Sequence, residues 1–173
     1  MAGLLALAGC GGGGASSMDG VSRAAIEHYL GEVEPIRLGV NALLDGADPI
    51  LAAHAAGRID NRVAARRMGE LERRFAGYAV RIAAVDPPDA RLRALNVPYA
   101  ETYVLEDAYL SALANGLAEG KLDALPHTQD SQRAAIIRWR TALTVLAQRV
   151  RAPLPGDLQQ AGRGEIAPSP GGS

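Results

Sequence analysis

The densest run of side chains able to do chemistry is Tyr99-Ala-Glu-Thr-Tyr-Val-Leu-Glu-Asp-Ala-Tyr-Leu, residues 99–110. On a helix, extending an apolar stripe from Leu95 and Tyr99 turns Thr102, Glu106 and Tyr109 inward, whereas the neighbouring register turns Tyr103, Asp107 and Leu110 inward. Either register sets one carboxylate at the edge of the core, where leaving it unpaired costs on the order of several kcal/mol. A salt bridge at the core edge, with the tyrosines directing their hydroxyls to water, meets that demand most simply and is the expectation. The alternative is a polar pocket between helices, lined by Tyr99, Tyr103, Glu106 and Tyr109 with Arg140 or Arg138 from a later helix, able to bind a small ligand.

Other chemistries find no support in the spacing. A carboxylate-bridged dinuclear centre needs Glu-x-x-His on two helices. The residues three before His28, His54 and His127 are Ala25, Leu51 and Ala124. His54 and His127 are expected in loops, and His28 beside the first apolar stripe. Ser111 and Ser131 lack the Gly-x-Ser-x-Gly setting of an activated nucleophile. Gly11 to Gly14 precede no Gly-Lys-Ser/Thr and cradle no phosphate. The expectation is therefore no enzyme, no metal and no cofactor. A net charge of -1 also disfavours nucleic acid, which calls for a strongly basic face.

Cys10 is the single cysteine, so no disulfide forms within the chain. It ends the run Leu7-Ala8-Gly9-Cys10 after a short apolar stretch, and Gly11 to Ser17 (GGGGASS) follows as a flexible tether. The four residues resemble the lipobox of bacterial lipoproteins. That resemblance implies a thioether-linked diacylglycerol on Cys10, cleavage before it and acylation of the new amine, with the bilayer as partner. Signal segments carry a basic start and an apolar stretch of about 7 to 15 residues. Residues 1–9 hold no basic residue, so they are expected to be the end of a longer signal that starts upstream.

The rest of the chain must position these groups. With 33 alanines, 4% aromatics and few β-branched residues, the composition favours helices. From Ser22 the apolar residues recur at intervals of three and four, through Ile26, Tyr29, Val33, Ile36, Val40 and Leu43, with Pro35 predicting a kink or break. Asp45 to Pro49 stops this segment, and a short helix over 49–57 capped by Asp48 is expected. A second long segment runs from Asp60 to Val85 on the stripe Ala64, Met68, Leu71, Phe75, Tyr78, Ile82 and Val85. A third spans about Asp89 to Glu119, kinked near Pro98 and capped by Gly120. The fourth spans about Asp130 to Arg151, with Ile136, Trp139, Leu143, Leu146 and Val150. Beyond Pro153 the Gly/Pro/Ser-rich tail shows no periodicity and is expected to be disordered.

These segments predict an all-α antiparallel four-helix bundle over 21–152, preceded by a signal segment (1–9) and a lipidated tether (10–20) and followed by the tail (153–173). Beyond the lipobox the chain resembles the small Ala/Arg-rich helical lipoproteins of GC-rich bacteria, which implies no specific activity. The functional expectation is a lipid-anchored bundle on the extracytoplasmic face of the cell membrane, binding an envelope protein or serving a structural role.

Overall fold

A computed structural model describes residues 20–159 and 165–170. It is all-helical: α1 (Arg23–Leu44), the short α2 (Ala47–Ala55), α3 (Asn61–Ala83), α4 (Ala90–Glu119) and α5 (Gln129–Val150), then a single 3₁₀ turn at Gly156–Gln159. The four long helices form an antiparallel bundle, and the expected extra helix lies between the first two. Helix α4 packs mainly against α3 and also against α5, while α3 is flanked by α1 and α2. Cys10 lies outside the described residues.

Local chemistry sets the helix ends. Ser22, Asp60 and Asp89 are extended residues whose side chains accept hydrogen bonds from Ala25 N, Val63 N, and Arg91 N and Leu92 N; each satisfies donors that the first turn leaves open. Gly120 closes α4 at φ 70, a left-handed conformation that glycine takes without penalty. Helix α2 starts two residues earlier than expected, with Gly46 at its cap and Asp48 inside its first turn. His54 is in the last turn of α2, not in a loop, and its Nε2 lies 2.9 Å from Asn61 Oδ1.

No break occurs at Pro35 or Pro98: α1 and α4 continue through them. Both prolines are exposed, as are Gly31 and Ala94, the residues whose carbonyls lose their helical donor. Water can satisfy those carbonyls, so the cost is a bond exchanged for hydration.

The core follows the expected stripes closely in α3, where Ala64, Met68, Leu71, Phe75 and Ile82 are buried while Tyr78 and Val85 are half-buried. Tyr78 lies over Gly39 of α1; a Cβ at that glycine would fall 2.5 Å from the Tyr78 hydroxyl. The other three long helices bury polar residues among their apolar ones: Arg37, Asn96, Thr102, Glu106 and Gln132. These converge on one region.

Candidate functional site

Arg37 is fully buried in the bundle, at 0% exposure. It falls in the inward register Leu30-Val33-Arg37-Val40-Leu44, so helix geometry carries its stem into the core. A guanidinium there requires anions, and three surround it. Nε donates to Glu165 Oε1 at 3.0 Å and Nη2 to Asp157 Oδ2 at 2.7 Å, while Nη1 donates to Glu34, one turn back on α1. Arg140 of α5 adds a second cation, 4.0 Å from Glu165 Oε1.

An aromatic wall supports this centre. Arg37 Cζ lies 5.7 Å from the centre of the Trp139 ring. Trp139 stacks on Tyr99 with centroids 4.1 Å apart, and Tyr103 stacks on Phe75 at 5.8 Å. The polar edges are satisfied in a relay across three helices. Trp139 Nε1 donates to the Tyr29 hydroxyl at 2.8 Å, which donates to Asn96 Oδ1 at 2.9 Å, and Asn96 Nδ2 donates to Val85 O at 3.0 Å. The Tyr99 and Tyr103 hydroxyls pair with each other at 3.1 Å.

The C-terminal segment lies across this region, held largely by its backbone. Glu165 N donates to Asn41 Oδ1 at 2.8 Å and Ala167 N to Glu106 Oε1 at 2.8 Å. Gln129 Nε2 donates to Ala167 O at 2.8 Å, and the Tyr109 hydroxyl to Pro168 O at 3.3 Å. Glu106 Oε2 accepts from Gln132 Nε2 at 3.0 Å. Residues 165–170 are therefore placed against the bundle instead of loose as their composition implied, because side chains from α1, α4 and α5 supply the partners that a Pro-rich segment cannot find in itself.

Burial governs the electrostatics. It raises the Glu106 carboxyl to about 7, against the opposing pull of the Ala167 amide and Gln132. It also raises Glu165, with Arg37 and Arg140 acting the other way. For Arg37 the desolvation that opposes its charge is outweighed by Glu165, Tyr99, Asp157 and Glu34, and its pKa rises. Tyr99 and Tyr103 are held neutral by burial and by the nearby Glu165 charge.

The structure brings together the five residues that the sequence grouped. Tyr99, Tyr103, Glu106 and Tyr109 are buried on α4, and Arg140 reaches the same region with its side chain 13% exposed. Glu106 takes the inward register and Asp107 is half-buried; Arg138 is exposed. The space between these groups holds Glu165 and Ala167. A cleft of 230 Å³ opens beside it, lined by Tyr109, Leu122, Leu125, His127, Ser169 and Pro170 among others.

Sequence reasoning missed Arg37, Asn96, Gln132 and Glu165. The first three each occupy a core register, which was the available signal: Asn96 lies between Leu92 and Tyr99, and Gln132 four before Ile136. Among the described residues no cluster of His, Cys, Asp and Glu has the form of a metal site. Comparison with protein-family models, curated proteins and solved structures finds no match to this chain.

Proposed function

We propose that this chain is a lipid-anchored helical bundle that acts at the extracytoplasmic face of the cell membrane by binding an envelope protein, without a catalytic step. Two independent features support the reading. The anchor rests on Leu7-Ala8-Gly9-Cys10 and the glycine-rich tether after it. Helix α1 starts at Arg23, and the expected tether ends at Gly20, next to Val21 in the core and the Ser22 cap. Two or three acyl chains, at about 0.8 kcal/mol per buried CH₂, hold a protein on a bilayer far better than one. Among the described residues no helix is long and apolar enough to cross a membrane.

The observation that carries the binding role is the way the bundle grips 165–168. Asn41, Glu106, Tyr109 and Gln129 address the backbone of that segment while Arg37 takes its carboxylate. Such a set of contacts recognises a non-helical peptide. The small-ligand reading of the same residues has less support, because a peptide segment fills the space a small molecule would take.

Mass spectrometry of the N-terminus, after expression in a bacterial host behind a full-length signal, tests the anchor. The expected product begins at Cys10 with diacylglycerol and an acylated amine, and Cys10→Ser abolishes both modification and membrane fractionation. An unmodified Cys10 in the membrane-free fraction refutes it.

A further inference from the structure

We infer that the groove holding residues 165–170 is a peptide-recognition site that accepts, in trans, a Glu-x-Ala-Pro segment of another protein, with this chain's own tail as its intramolecular occupant. The inference rests on the binding reading above but not on lipid attachment.

The contacts are those of a receptor with a ligand. Side chains from three helices meet two backbone N–H groups and two carbonyls of the segment, which fixes its direction and register. Pro168 and Pro170 bring no N–H that would need a partner, and their restricted φ lowers the cost of ordering the segment. Ala167 is 2% exposed, so its methyl group is enclosed by the bundle. The carboxylate enters beside Arg37 and Arg140, a charge pairing that selects an acidic residue two positions before Ala167.

The tail fits this site imperfectly. Glu165 Oε2 is buried without a hydrogen-bond partner among the described residues. The Glu165 backbone is held at φ 33, in the left-handed region that side chains avoid. Both features disfavour the bound tail, and a peptide not tethered through residue 164 escapes the second. Residues 165–170 form no helix, so their departure breaks no helical hydrogen bond of α1 to α5. The 230 Å³ cleft adjoins the segment at Tyr109, Ser169 and Pro170.

The probe is the blocked hexapeptide Glu-Ile-Ala-Pro-Ser-Pro carrying fluorescein, titrated by anisotropy into the full chain and into its Glu165→Gln variant, with folding checked by circular dichroism. Losing the charge from the resident tail should make the variant bind the peptide about tenfold tighter than the wild type. Adding Gln129→Ala should weaken that binding several-fold, and a peptide with Gln for Glu should bind more weakly. Folded Glu165→Gln chain that binds no better than wild type overturns the proposal. So does equal competition by acetate at matched concentration, which would reduce the site to a carboxylate pocket. A dimer formed by exchange of tails in size-exclusion chromatography would make a second copy the occupant, and would overturn the claim of a different partner. If Glu165→Gln fails to fold, hydrogen exchange of the Ala167 amide in wild-type chain decides: excess unlabelled peptide should accelerate it several-fold, and no change overturns the proposal.

Discussion

Arg37 of α1 and Glu165 of the C-terminal segment, 128 positions apart, form an ion pair with side-chain exposures of 0% and 1%. Because Asp157 joins the same guanidinium, two of its three carboxylate partners come from beyond the last helix. The bundle thus buries a cation on its first helix whose carboxylate partners, apart from Glu34, lie beyond the last helix. Burying an ion pair adds little net stability compared with apolar packing, whereas stranding one partner is costly. The arrangement is better understood as a specificity device than as reinforcement of the core.

That asymmetry predicts the outcome of Arg37→Met. The methionine fills much of the volume but leaves Glu165 buried beside Arg140 alone, so stability should fall by about 3–5 kcal/mol in urea denaturation at pH 7. Combining it with Glu165→Gln should recover a large part of the loss, since the stranded charge is gone. A single-variant loss under about 1 kcal/mol would show that the pair is solvated.

How far the chain discloses itself depends on the kind of residue. The four stripes and the Asp60 and Gly120 caps were legible because helix period and cap chemistry are local. The grouping of Tyr99, Tyr103, Glu106 and Tyr109 was legible for the same reason, as all four lie on one helix. Arg37 sits in a core register beside Glu34, but the carboxylate that shares its full burial lies 128 residues away, where no local pattern points. Glu165 sits in a Pro/Gly/Ser context with no period, and its placement depends wholly on partners in other helices. The prolines misled in the opposite direction: whether Pro35 breaks a helix depends on the exposure of the carbonyl it strips, which is a tertiary property.

Tyr29 provides a second test of the buried network. Its hydroxyl accepts from Trp139 Nε1 and donates to Asn96 Oδ1, so Tyr29→Phe leaves both buried groups without that partner. The expected cost is about 1–3 kcal/mol. Because Trp139 is the only tryptophan, its emission reports the change directly and should shift in the folded state. An unchanged spectrum and midpoint would mean that the relay is not maintained in solution.

Gly39 tests the contact between α1 and α3. Alanine gains about 1 kcal/mol in helix propensity over glycine, but its Cβ would sit 2.5–2.7 Å from Tyr78 ring and hydroxyl atoms. Displacing that ring also disturbs Arg81, whose Cζ is 5.4 Å from the Tyr78 centroid. Gly39→Ala should therefore destabilise by about 1–2 kcal/mol in chemical denaturation. In a Tyr78→Ala background the same substitution should become stabilising, and a sign that stays the same in both backgrounds would contradict the steric account.

Glu106 should make the fold less stable as pH rises. Its folded pKa of about 7 lies above the ordinary 4.5, so between those values the folded chain holds a proton that the unfolded chain has released. Stability is highest below about pH 4.5 on this account and declines through pH 7, by on the order of 3 kcal/mol for the full shift. Glu165 is raised as well and acts in the same direction, whereas Asp157 is lowered, and its contribution disappears only as pH falls through the range below 3.8. Thermal melts between pH 5 and pH 8 should show a falling midpoint for the wild type. Glu106→Gln removes the ionisation while keeping an acceptor for the Ala167 amide, so its midpoint should vary distinctly less and exceed the wild type at pH 8. Parallel pH profiles for the two chains would mean that Glu106 is hydrated and the tail does not seal it.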